Sequence, residues 1–268
     1  MKQNKYLSDY LDKFGDVGRM PRQVLLNELD NVWLDFKLDN SKSLNEQMQS
    51  IIGFYSHPVW ILNGIFSEHD LISRNHRNAI ANYIKGLNVL RVADYGGGSA
   101  VLARIIAGAS STQVDIVEPY MSQFFLEKLT EFNTINVVPN LIPEYDVVIA
   151  QDVLEHVDDP VGLAVELIAA TKINGHLIFA NSFYPDIKCH LPSNFYLRHT
   201  FIPLMANAGL KFAGRIDGAE HALIFRRVGD VDLRKLNKAH SKAKRFGFFL
   251  NFIHDAAGSF KRIIRQAA

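Results

Sequence analysis

The stretch from Asn88 to Pro119, NVLRVADYGGGSAVLARIIAGASSTQVDIVEP, constrains the fold of this chain more than any other. An apolar run from Val89 to Ala93 ends in an acid, Asp94, and three consecutive glycines follow, Gly96, Gly97 and Gly98. Val101, Leu102, Ile105 and Ile106 then recur at helical spacing, and Val114, Ile116 and Val117 form a second strand that ends at Glu118. A strand, a glycine turn, a helix and a strand tipped by an acid make a nucleotide-binding βαβ unit. Residues without a Cβ turn at positive φ and let bare backbone N–H groups approach a ligand. The helix start adds unpaired donors and a partial positive charge. A carboxylate at the tip of the second strand can accept both hydroxyls of a ribose.

A dinucleotide fingerprint requires G-x-G-x-x-G/A. Counted from Gly96 its last position falls on Val101, which disfavours a nicotinamide-dependent dehydrogenase. What stands instead is Asp94-x-Gly96-x-Gly98-x-Ala100. This resembles the first motif of the class I S-adenosylmethionine-dependent methyltransferases, with Ala100 where that family usually has glycine. A second stretch, Tyr145 to Pro160 (YDVVIAQDVLEHVDDP), opens with a continuous apolar run suited to a parallel strand covered on both faces. It continues through Gln151, Asp152, Glu155 and His156, and looks like the L-E-H strand-4 motif of the same family.

The resemblance covers about residues 88–228. It implies an α/β fold with a doubly wound, seven-stranded, mostly parallel sheet closed by an antiparallel hairpin, here Lys211–Ile216 and Ala222–Val228. It further implies that Asp94, Gly96, Gly97, Gly98, Glu118, Gln151 and Asp152 hold S-adenosylmethionine, whose product is S-adenosylhomocysteine. Many members carry an acid after strand 3; the nearest polar residue here is Asn140.

Three regions are expected: a helical region over 1–87, the cofactor-binding domain over 88–228 and a basic amphipathic tail over 229–268. In the first, Ser43 and Glu46 form a capping box, and the aromatic stretch GFYSHPVWILNGIF is broken by Pro58. Such a preamble in this family commonly packs over the cofactor, which nominates Tyr55 and His57 as substrate-facing lid residues; an aromatic core is the alternative. Between strand 5 and the hairpin, residues 182–198 form a long aromatic insertion at the carboxyl edge of the sheet, where ligands bind in such folds. It carries Tyr184 and His190, with His199 just beyond, and Thr200 reads as the cap of the helix that ends at Gly209.

A hydroxyl acceptor benefits from a general base, and histidine titrates near neutrality. His156, His190 and His199 are therefore the candidate catalytic residues. Asp152, His156 and His190 make a divalent-ion site conceivable, but no tight ligand spacing supports one and no metal is expected. The leading expectation is O-methylation of a small-molecule or glycan-type metabolite. N- or C-methylation and a non-catalytic cofactor-binding scaffold are the rivals.

Cys189 is the only cysteine, so no intrachain disulfide framework exists. The N-terminal residues MKQNKYLSDYLDKF lack the apolar segment of a signal peptide, and no run approaches the ~20 apolar residues of a membrane span. A cytoplasmic protein is expected. The net charge of +1 conceals an asymmetry: residues 226–268 carry eleven Lys and Arg against three acids, a net of +8, so the body carries −7. In the tail, Phe248, Phe249, Phe252 and Ile253 with Lys and Arg on their flanks make an amphipathic basic pattern. Such a segment can pack on the acidic body, pair with a second subunit as a homodimer, or lie peripherally on an anionic membrane. Nucleic acid is disfavoured, because the body is acidic and the N-P-P-Y signature of nucleic-acid-methylating branches is absent.

Overall fold

A computed structural model describes residues 2–267, with side chains described over 5–253. Seven strands form one sheet in the order β3-β2-β1-β4-β5-β7-β6. They are β1 (Arg91–Tyr95), β2 (Gln113–Val117), β3 (Ile135–Val137), β4 (Tyr145–Gln151), β5 (Thr171–Ala180), β6 (Leu210–Ile216) and β7 (Ala219–Arg227). The first five run parallel, whereas β7 pairs antiparallel with both β5 and β6. This is the sheet that the sequence resemblance implies, with the terminal hairpin in place.

The central strands feed two cores, as the two-residue period of a pleated strand allows. Val147 and Ile149 of β4 face one side with Ile80, Ile84, Leu102 and Ile106. Those four lie on α5 (Leu71–Leu87) and α6 (Val101–Ala109). Val148 and Ala150 face the other side, against α8 (Pro160–Ala170), α9 (Leu197–Ala206) and α10 (Leu233–Ala267). The short α7 (Gln123–Leu129) covers the β2–β3 edge. Helices on both faces explain why the β4 run is uniformly apolar.

A third core lies outside the sheet. It joins α1 (Lys2–Leu11), α2 (Arg22–Asp35), α3 (Met48–Tyr55) and α4 (Val59–His69) through Leu25, Trp33, Phe54 and Leu62, and takes in Cys189 and Leu191 of the insertion. The Ser43–Glu46 box forms as read: each backbone N–H meets the other's side chain, at 2.8 and 3.3 Å. It starts a 3-10 turn, Asn45–Gln47, that runs into α3. The cap and the insertion are tied by Asn40, which donates to the Lys188 carbonyl at 2.8 Å, and by the Lys188 N–H, which donates to Asp30 at 2.6 Å.

One local expectation changes, at Thr200. β5 starts at Thr171, and Asn174 within it adopts φ 68°, a conformation asparagine tolerates. Thr200 does not cap α9; it lies inside the helix and donates its hydroxyl to the Tyr196 carbonyl at 2.6 Å.

The basic tail is helical and packs on α9. Leu236 and Ala243 are buried in the sheet's core, and Asn251 donates to the Phe195 carbonyl at 2.8 Å. Its outer side exposes Phe246, Phe249 and Phe252. Among the described residues no helix is long and apolar enough to cross a membrane.

Candidate active site

At the carboxyl ends of β1 and β2 the chain builds a cradle from local sequence. After Tyr95 the backbone turns through Gly96 at φ 70° and Gly98 at φ 52° before α6 begins. Glycine is favoured here, since an L side chain is strained at such angles. Ala100 also adopts φ 57°, so the position where the family usually has glycine keeps the glycine conformation without the glycine. Glu118, just past β2, accepts from the Gly98 N–H at 3.1 Å and from the Tyr120 N–H at 2.9 Å. Its carboxylate thus stands over the turn, and burial raises its pKa.

Asp94 lies beneath, 3% exposed, and its Oδ2 has no hydrogen-bond partner. Burial pushes its pKa up to about 7, opposed by the charge of Arg77. Arg77, on α5, feels both Asp152 and Asp94 and is itself lowered by burial. A buried carboxylate lacking a donor suits an ammonium group, and a strand-tip carboxylate beside glycine N–H groups suits a ribose. The cradle therefore fits S-adenosylmethionine.

A second cluster forms beyond β4. The chain leaves the strand through Asp152 at φ 53°, whose N–H donates to the Ala180 carbonyl at 2.7 Å, and enters the 3-10 turn Leu154–His156. The insertion clamps this turn. Asn194, 1% exposed, donates to the Val157 carbonyl at 2.8 Å, and the Leu191 N–H donates to the Glu155 carbonyl at 2.9 Å. The insertion is thus a wall of the site.

This clamp brings His190 against His156, with ring centroids 4.9 Å apart and planes nearly perpendicular. His156 Nδ1 meets the Cys189 carbonyl at 3.0 Å and His190 Nδ1 meets the Tyr184 carbonyl at 2.8 Å. Glu155 is fully buried; its Oε1 accepts from the Ser182 N–H at 2.7 Å and its Oε2 has no partner. Burial, reinforced by the charge of Asp152, pushes Glu155 up to about 8, and burial drives His156 down to about 3.

The N-terminal cap roofs the gap between the two clusters. Tyr55 stacks between Trp60 and Tyr120, at 5.1 and 5.2 Å, with interplanar angles of 27° and 18°. Burial raises its hydroxyl far above the ordinary range, and the charges of Glu118 and Glu155 both act on it. Gly64 of α4 lies so close to Phe125 and Ser99 that a Cβ would overlap both, which holds the roof on the glycine turn.

The structure thus groups Asp94, Gly96, Gly97, Gly98 and Glu118 on one side, His156 and His190 on the other, and Tyr55 above. It does not bring in the remaining sequence-nominated residues as directly. His57 accepts from the Val59 N–H at the start of α4, edge-on to Tyr10 and Phe36 in the cap core. His199 is exposed on α9, and Asn140 is exposed after β3. Tyr184 contributes its carbonyl to His190, while its half-exposed ring lies under the Arg198 guanidinium, 4.0 Å from the ring centroid. Gln151 donates to Asp152 at 3.3 Å at the tip of β4. Of the groups conceivable as ion ligands, Asp152 gives way to Glu155, which faces the two histidines. Arg77 and Tyr120 had no signal in the sequence; their place follows only from how α5 and the β2 tip pack.

A family model described as a methyltransferase domain matches residues 33–213. Over 142 residues the chain is 28% identical to a ubiquinone biosynthesis O-methyltransferase from Vibrio parahaemolyticus, covering 49% of this chain and 60% of that one. A protein of the same name from Nitrosomonas europaea is 30% identical over 135 residues, 47% and 57% of the two chains. The matched segment thus spans little more than half of these curated relatives. Among solved structures, an O-methyltransferase family protein from Burkholderia thailandensis aligns with a TM-score of 0.51 at 14% identity, over 78% of this chain and 70% of that one. That likeness is one of fold.

Proposed function

The chain belongs to the S-adenosylmethionine-dependent class I methyltransferases, and from that premise we propose that it transfers a methyl group to a hydroxyl oxygen of a small-molecule acceptor. One observation carries this reading: a cofactor-type cradle and a histidine pair with constrained rings share one sheet edge under a common aromatic roof.

The bound cofactor supplies an electrophilic methyl on a positively charged sulfur. What the protein adds is mainly alignment of acceptor oxygen, methyl and sulfur, a proximity effect. Asp94 would receive the ammonium end, and Glu118 would exchange its backbone donors for the ribose hydroxyls. The stacked Tyr55 and Tyr120 would shield the bound cofactor from water. Removal of the acceptor proton falls to the Glu155–His156–His190 cluster as a unit. A ring held neutral down to about pH 3, as His156 is, takes a proton poorly at neutral pH. The relatives' role in ubiquinone biosynthesis supports oxygen as the atom methylated, and makes phenolic acceptors the first to try.

Calorimetric titration with S-adenosylhomocysteine, beside NAD, tests the reading, followed by methyl transfer to a panel of phenols. Binding of the first ligand alone, with turnover on a hydroxyl acceptor, is the expected result. Cofactor binding with methylation only at nitrogen or carbon would reject the oxygen assignment.

A further inference from the structure

We propose that Glu155, His156 and His190 bind a divalent transition ion of the Zn²⁺ class, whose open positions receive the acceptor hydroxyl. The ion-binding claim stands by itself; the ion's role rests on the methyl-transfer reading above.

The chemistry of the three clustered side chains carries the inference. A backbone carbonyl can only accept, so the Cys189 and Tyr184 carbonyls fix the proton of each ring on Nδ1. In the neutral rings both Nε2 atoms are then bare lone pairs. Glu155 Oε2 is a third acceptor, buried in a residue with no exposed surface and without a partner. With Glu155 ionised, the form that a cation favours, three acceptors cannot satisfy one another, and leaving a buried carboxylate oxygen unpaired is costly. A cation at their centre satisfies all three.

The arrangement matches the way metal-binding histidines are held elsewhere. The nitrogen that faces away from the ion donates to a backbone carbonyl, which sets both tautomer and ring orientation. One ligand atom from each residue lies within 4.8 Å of the others. Zn–N and Zn–O bonds of about 2.0–2.2 Å place ligands roughly 3–4 Å apart, so small rotamer shifts bring all three onto one ion. Two imidazoles and one carboxylate suit a borderline transition ion, and three protein ligands leave coordination positions open. Mg²⁺ prefers oxygen ligands and keeps its waters, so it is the poorer fit.

The consequence for the reaction is definite. An acceptor hydroxyl that occupies an open position has its pKa lowered, as a metal-bound water does. Its O–H bond breaks and the proton passes to solvent. The oxygen forms a bond to the methyl carbon while the carbon–sulfur bond breaks, and that electron pair returns to sulfur, leaving a neutral thioether.

The test uses the full chain, stripped with a chelator and titrated with Co²⁺ as a spectroscopic probe, in parallel with S-adenosylhomocysteine. One Co²⁺ per chain, with visible d–d absorption that Zn²⁺ displaces and Mg²⁺ does not, is the expected result. Removing groups that merely orient ligands typically weakens metal binding by about 10–100-fold, so His190→Ala and Glu155→Gln should each weaken it by at least about tenfold. His199→Ala should leave it unchanged. Retained S-adenosylhomocysteine binding in the variants shows that they are folded. Wild-type protein that binds S-adenosylhomocysteine but no Co²⁺ overturns the ion, and Co²⁺ binding untouched by the variants overturns its location. Mg²⁺ competing equally overturns its class. Co²⁺ binding without S-adenosylhomocysteine binding keeps the ion and overturns the methyl-transfer reading.

Discussion

The two halves of the site are built by different means. The cradle around Asp94 and Glu118 is made by one continuous βαβ unit, and its donors are backbone N–H groups of a glycine turn. The cluster around Glu155 is made by side chains from two segments more than thirty residues apart, oriented by the carbonyls of an insertion. Local chain geometry suffices for a ligand common to a whole family. A site for a particular acceptor needs distant pieces, and those pieces can change without disturbing the cradle. Substitutions in one half should therefore leave the other half's ligand alone.

The largest expected effect lies in the second half. His156→Ala breaks the Glu155–His156–His190 cluster and should reduce methyl transfer by about 10²–10⁴-fold, the range typical of losing the machinery that handles the acceptor's proton. S-adenosylhomocysteine affinity, measured by calorimetry, should stay within about twofold. A parallel collapse of cofactor binding would show that the two clusters are one structural unit and break the comparison.

Glu118→Ala addresses the first half. Hydrogen bonds to a charged group contribute about 1.5–3 kcal/mol, so losing this carboxylate should weaken S-adenosylhomocysteine by about 10–100-fold. Co²⁺ binding at the other cluster should not move. Tyr55→Ala removes the residue shared by both halves. The loss of its stack on Tyr120 should weaken cofactor binding by about threefold to tenfold, on the scale of about 0.5–1.5 kcal/mol for an aromatic pair. Because the charges of Glu118 and Glu155 both act on Tyr55, its KM for acceptor should rise as well.

The same division decides what could be read from the sequence. Asp94, the three glycines and Glu118 lie within a span of 25 residues, and each is placed by the strand or turn it sits on. The seven-stranded sheet was legible for the same reason, down to the hairpin. The second cluster was legible only in part. His156 and His190 were nominated singly, but their pairing depends on Asn194 and Leu191 clamping the Leu154–His156 turn, a contact across 36 or more residues that no local pattern encodes. Asp152 was nominated as an ion ligand, and Glu155 was not. Only the backbone after β4 decides between them: Asp152 sits exposed at positive φ while Glu155 turns inward. His57 was nominated for its aromatic company, and that company proved to be the core of the cap.

A last expected effect is on stability, and it isolates the cradle from any turnover. Burial raises the pKa of Asp94 from the usual 3.8 to about 7. The folded chain therefore holds a proton on Asp94 that the unfolded chain has already released, and folding loses stability as pH rises between those two values. Below about pH 4 both states are protonated and the penalty vanishes; above about pH 7 it is fully present. Asp94→Asn has no proton to lose. Without cofactor, its melting temperature should match the wild type near pH 4 and rise above it progressively to pH 7, then hold a constant lead. A lead that does not vary with pH would mean the carboxylate is not penalised by burial. Adding S-adenosylmethionine should reverse the order at pH 8. The ammonium end pairs with the ionised Asp94 and stabilises the wild type by mass action, whereas the amide offers it little. Such a reversal would show that the ligand offsets the burial penalty on Asp94.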